Sequence, residues 1–95
     1  MARSPNREAR LTLIKTSLAE ADRLLLLSRQ EPMKEQLRRA ARDLEEASTW
    51  LEKRDVDHRP SILKITDLAL DLARWRLNMV SEALEKYGPD ATLFV

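Results

Sequence analysis

Four prolines divide this sequence into three long stretches that are rich in Leu, Ala, Glu, Arg and Lys, the residues that favour helices. The prolines are Pro5, Pro32, Pro60 and Pro89. Proline fits the first turn of a helix and interrupts a helix further along, so each of the first three is expected to open a helix. Gly88, directly before the last proline, is a typical stop signal. The pattern predicts three helices and a tail, at about 5–30, 32–54, 59–87 and 88–95.

The length of the chain limits how these helices can be arranged. With 95 residues the chain can form one domain with a thin core. Each helix would be roughly 35–45 Å long, and short connections between helices of similar length favour antiparallel neighbours. The single glycine argues against a fold of tight β-hairpins. The predicted fold class is therefore all-α, with a single domain over residues 1–95 that forms an antiparallel three-helix bundle.

The first two predicted helices each carry one narrow apolar stripe, with apolar residues three and four positions apart. In the first helix the stripe consists of Leu11, Ile14, Leu18, Ala21 and Leu25. In the second helix it consists of Met33, Leu37, Ala40, Leu44, Ala47 and Leu51. Stripes of this width are typical of helices that pack against two neighbours in a bundle.

The third predicted helix is apolar over a much wider arc, roughly 220° at about 100° per residue. One side of the arc carries Ile62, Ile65, Leu68, Ala69, Leu72, Trp75, Met79 and Ala83. The adjoining side carries Leu70, Ala73, Leu77, Val80 and Leu84. Two neighbouring helices can cover only part of this arc, so the tail, a second copy of the chain or another protein must cover the rest. The expected completion of the bundle is a homo-oligomer, with a dimer favoured, or a helical protein partner.

The run of four leucines that ends the first helix shows the same excess of apolar surface. Leu26 and Leu27 point away from the predicted core, and exposed apolar patches mark protein contacts. Trp75 lies at the border of the apolar arc of the third helix, and Trp50 lies off the stripe of the second. Each either contacts a partner or closes the edge of the core. Phe94 is expected to pack, within the chain or between subunits. The predicted contact residues are Leu26, Leu27, Trp50, Leu70, Trp75, Arg76, Leu77, Val80, Leu84 and Phe94.

Arg76 is the most unusual single residue because it falls inside the apolar arc of the third helix. A buried guanidinium without a partner is costly, so it requires a carboxylate, carbonyl groups or a ligand. Three interpretations stay open: an anion site in the core, an ion pair with a carboxylate such as Asp22 or one on another subunit, and a packed stem whose head reaches solvent.

The composition removes most catalytic chemistry and most metal sites. Without cysteine and with one histidine, thiolate zinc sites, cysteine catalysis and multi-histidine sites within one chain are excluded. His58 lies close to Asp55 and Asp57, just before Pro60, and these three side chains could share a metal ion. Helix capping by Asp57 explains the same residues better. No catalytic residue, metal or cofactor is predicted, and the protein is expected not to be an enzyme.

The balanced charge and the lack of a long apolar run favour a cytoplasmic protein that binds other proteins. The 17 basic and 16 acidic side chains nearly balance, and no apolar run approaches the roughly 20 residues that a membrane span needs. Arg3, Arg7 and Arg10 could form a basic arm, so a nucleic-acid-associated regulator is the alternative function. An anion-binding bundle around Arg76 is a more remote one. The favoured interpretation is a non-enzymatic helical interaction module of adaptor or regulatory type.

Overall fold

The computed structural model describes residues 5–53 and 59–92, and this part of the chain forms three helices that pack against each other. The helices are α1 (Pro5–Leu27), α2 (Glu31–Lys53) and α3 (Pro60–Tyr87). The prediction of an all-α fold with three long helices is therefore confirmed. The predicted linker cap Asp57 and the end of the tail lie outside the described residues.

α1 ends three residues earlier than the predicted boundary at 30, because Ser28 closes its last turn. The Ser28 hydroxyl donates a hydrogen bond of 2.8 Å to the Leu24 carbonyl, and the Ser28 backbone N–H donates to the same carbonyl at 3.0 Å. Serine competes in this way with continued helical hydrogen bonding. The next N–H, that of Arg29, donates to the Pro89 carbonyl at 3.0 Å. This bond ties the α1–α2 turn to the segment that follows α3.

α3 begins at a proline and ends at a glycine, as the sequence predicts. Arg59 precedes the helix without a side-chain cap, and Pro60 occupies the first turn, where its missing N–H costs nothing. At the other end, Gly88 has a φ of 80°, and its N–H donates to the Leu84 carbonyl at 2.8 Å. Only glycine adopts this backbone conformation without strain, so Gly88 can turn the chain out of the helix.

The core lies along the full length of α2. All six residues of its predicted stripe are buried, which confirms that prediction. In α1 the buried line is Ile14, Ser17, Ala21, Leu24 and Ser28. The predicted stripe residues Leu11, Leu18 and Leu25 are only half-buried and flank this line. The core of α1 is thus rotated slightly from the predicted stripe, and serine occupies two of its positions.

α3 contributes one side of its wide apolar arc to the core. The buried residues of this helix are Ile62, Thr66, Leu70, Ala73, Leu77 and Val80. Thr66 is accepted there because its hydroxyl donates to the Leu63 carbonyl at 2.8 Å. This arrangement corrects the prediction that Leu70, Leu77 and Val80 face outward as contact residues. They are the side of the arc that α1 and α2 cover.

α1 and α3 run in the same direction and pack less closely on each other than α2 packs on either. Near the start of both helices, the Arg10 guanidinium donates two hydrogen bonds to the Asp67 carboxylate, at 2.7 and 2.8 Å. Near their ends, Leu27 and Leu84 line the same hollow. The boundary between α1 and α3 is therefore the open side of the bundle.

Candidate docking surface

Four large apolar side chains form an exposed row along α3. They are Ile65, Leu68, Leu72 and Trp75, and their exposed fractions are 50%, 64%, 44% and 58%. Their spacing of three, four and three residues places them on one face of the helix. We call this row the α3 seam. The half-buried Met79 continues the same spacing by four residues.

The α3 seam is exposed because it lies on the side of the helix that faces away from α1 and α2. At 100° per residue, the seam is centred roughly 120° from the line of core residues through Ala73. The ion pair between Arg10 and Asp67 holds α1 against the opposite flank of α3. Both neighbours therefore cover the core side of the arc, and the remaining side carries the apolar surface that they leave uncovered.

Arg76 lies on the edge of the seam, one residue after Trp75, and is half-buried. Its Nε and Nη1 atoms are buried and have no hydrogen-bond partner among residues 5–53 and 59–92. Asp22, the carboxylate that the sequence offered as a partner, is exposed and forms no ion pair with it among the described residues. None of the three hollows described below is lined by Arg76, so the structure adds no support for an anion-binding pocket around it.

The other predicted contact residues lie in three different environments. Leu26 is 88% exposed and Leu27 is 46% exposed, as the four-leucine run predicts. Trp50 and Leu84 are half-buried and pack against the core. Trp75 is part of the seam, whereas Phe94 lies outside the described residues.

A line of three shallow hollows follows the open boundary between α1 and α3, with volumes of about 340, 330 and 210 Å³. Leu70, Leu77 and Leu84 each line a different one of them, and Leu27 lines the last. Several of the predicted contact residues are thus brought to one boundary, although Leu70 and Leu77 are almost wholly buried there.

The predicted basic arm is partly engaged in the fold. Arg10 forms the ion pair with Asp67, and its hydrogen bonds to that carboxylate raise the pKa of Arg10 against a smaller opposing effect of burial. Arg7 is half-buried, and Arg3 lies outside the described residues. Nucleic-acid binding through these arginines therefore gains no support from their placement.

The described part of the chain contains neither a candidate metal-binding cluster nor a membrane-spanning helix. In it, no group of three or more His, Cys, Asp or Glu side chains could hold a metal ion. His58 and its neighbouring aspartates fall outside these residues. Likewise, no helix among residues 5–53 and 59–92 combines the length and the apolar character that crossing a bilayer requires.

Comparisons with known proteins add no family assignment. No family model matches the sequence, and neither a curated protein nor a solved structure gives a match. A function for this chain is therefore inferred from its own geometry.

The spacing of side chains gives one sign of the seam in the sequence, although it does not show from which directions the neighbouring helices approach. Ile65, Leu68, Leu72, Trp75 and Met79 follow the alternating three- and four-residue spacing of a coiled coil. The core side of α3 does not follow this alternation in its first turns, because two steps of four residues lead from Ile62 to Leu70. The predicted contact set included only one seam residue, Trp75.

Proposed function

We propose that this protein is a non-enzymatic, self-associating helical module whose α3 seam docks on the seam of a second copy. The observation that carries the proposal is the exposure of Ile65, Leu68, Leu72 and Trp75 in one coiled-coil row. A second copy is the occupant because it brings a row of the same length and spacing, so that apolar residues of both chains meet along the whole face.

The amount of exposed apolar surface indicates a weak, reversible dimer. Together the four side chains expose slightly more than two complete side chains, and burying them gains about 3–6 kcal/mol per chain. Two chains gain about twice as much, while association costs about 4–15 kcal/mol in lost freedom and ordering. The largest net gain that these values allow is about 8 kcal/mol, which corresponds to a dissociation constant of about 1 µM, and any larger cost of association makes the dimer weaker.

An association of this strength responds to changes in protein concentration, which suits an adaptor or regulatory protein. The monomer would retain its own core along α2, because the seam residues are not part of it. Folding and association are therefore separate events in this proposal, and the exposed row can alternate between free and occupied states.

Sedimentation equilibrium over a concentration series from about 1 µM to about 1 mM tests the proposal. We expect the average mass to rise from 11.0 kDa towards twice that value. The result should depend only weakly on moderate salt, since apolar contacts dominate. A mass that stays at the monomer value through the whole series contradicts self-association.

A further inference from the structure

We infer that the two copies pair in parallel, with Asp71 of each chain opposite Arg76 of the other. This inference rests on the proposed self-association and adds its orientation and its polar contact. It also gives the orphaned guanidinium of Arg76 a carboxylate partner.

The heptad positions of the seam fit a pair of helices, and its orientation is set by the residues beside the seam. Counting from Ile65 as position a places Leu72 and Met79 at a, and Leu68 and Trp75 at d. In a parallel coiled coil, a β-branched residue at a with leucine at d, as in the first heptad here, favours two strands over three or four.

The charges beside the seam distinguish the two orientations. Asp71 occupies position g and Arg76 occupies position e of the following heptad. In a parallel pair these positions face each other across the interface, so two opposite-charge contacts form by symmetry. In the antiparallel register that overlaps all four seam residues, Asp71 would face the partner's Asp71, and Arg76 would gain no carboxylate. Charge complementarity therefore selects the parallel arrangement.

Both partners in this contact are available in the single chain. Asp71 is exposed and forms no ion pair with any described residue. Two nitrogens of Arg76 are buried and form no hydrogen bond within the part of the chain that the structure describes, and Nη2 is not one of them. Nη2 is therefore the atom that a carboxylate from the second copy can reach at the edge of the seam. A hydrogen bond between two charged groups is also stronger than one between neutral groups.

Charge reversal at the two positions tests the pairing by sedimentation equilibrium. D71R alone and R76E alone each place like charges opposite one another twice, and we expect about tenfold weaker association for each. An equimolar mixture of the two variants restores opposite charges at both contacts, so it should associate about as well as the original chain. E45R is the matched control, because Glu45 is an exposed carboxylate on α2 that forms no ion pair with the described residues, and it should change nothing.

A cysteine cross-link gives an independent measure of orientation. Ser61 is exposed and occupies a d position one heptad before Leu68, and the chain contains no cysteine. In the parallel pair, oxidation of S61C should yield a disulfide-linked dimer. In the antiparallel register described above, the two introduced cysteines would lie about 27 Å apart along the helices and could not join.

Different results contradict the parallel pairing and the self-association on which it rests. A chain that is monomeric at all concentrations overturns both. A dimer that is unaffected by D71R and gives no cross-link with S61C overturns the parallel pairing alone. If R76E fails to fold, D71R and S61C still decide the orientation, since both positions are exposed in the single chain.

Discussion

The L68A variant gives the sharpest test of the α3 seam, because Leu68 has the largest exposed fraction in it. Complete burial of a leucine side chain gains about 1.5–3 kcal/mol, and about two-thirds of Leu68 remains to be buried on association. Allowing for the methyl group that alanine retains, truncation removes about 1–1.5 kcal/mol per chain. A symmetric dimer contains two copies, so the loss is about 2–3 kcal/mol, or about 30- to 150-fold in the dissociation constant.

Sedimentation equilibrium of L68A beside the original chain measures this change directly. Leu68 is not a member of the core cluster, so the free energy of unfolding measured under monomeric conditions should change by less than about 0.5 kcal/mol. L26A is the matched control, since Leu26 is an even more exposed leucine that lies on α1, away from the seam. An unchanged dissociation constant for L68A, or equal weakening by L26A, would refute the assignment of the seam as the contact surface.

Three further predictions concern the fold itself. L44A should lower the free energy of unfolding by about 2–5 kcal/mol in a denaturant titration, because Leu44 is completely buried on α2. The hydrogen bond with Arg23 lowers the pKa of Glu20, so its contribution to stability is present at neutral pH and is lost as the pH falls from the ordinary glutamate pKa through the lowered one. E20Q should therefore show a smaller loss of stability on acidification between about pH 5 and pH 3, and an unchanged acid slope would contradict the pairing. G88A should destabilise the chain by about 1–3 kcal/mol through backbone strain at a φ of 80°, although space for the methyl group is available there. An unchanged thermal unfolding temperature would contradict this backbone conformation.

The elements of the fold could be predicted because local signals and apolar spacing agree along the chain. Prolines and Gly88 mark the helix boundaries, and the stripe of α2 is made of large apolar residues and alanines at regular intervals. The end of α1 could not be predicted in this way. It depends on the Ser28 hydroxyl and on the tertiary hydrogen bond from Arg29 to Pro89, which the spacing of side chains does not encode.

The exposed side of α3 could not be predicted from periodicity alone. The width of the apolar arc on α3 was apparent, but periodicity gives angles around one helix and not the directions from which its neighbours approach. Thr66 is buried and Leu68 is exposed, the reverse of their hydropathy. The ion pair of Arg10 with Asp67 and the close packing of α2 decide which side of the arc is covered.

The two tryptophans lie in environments different enough to report on separate events. Trp50 is half-buried and packs against the core, whereas Trp75 is mostly exposed on the seam. Fluorescence from a W75F chain would therefore follow unfolding alone. The emission of a W50F chain would shift towards the blue as the protein concentration rises, because association removes water from the remaining indole. Dilution would reverse this shift. Two single-tryptophan proteins thus provide an optical separation of folding from assembly without any attached dye.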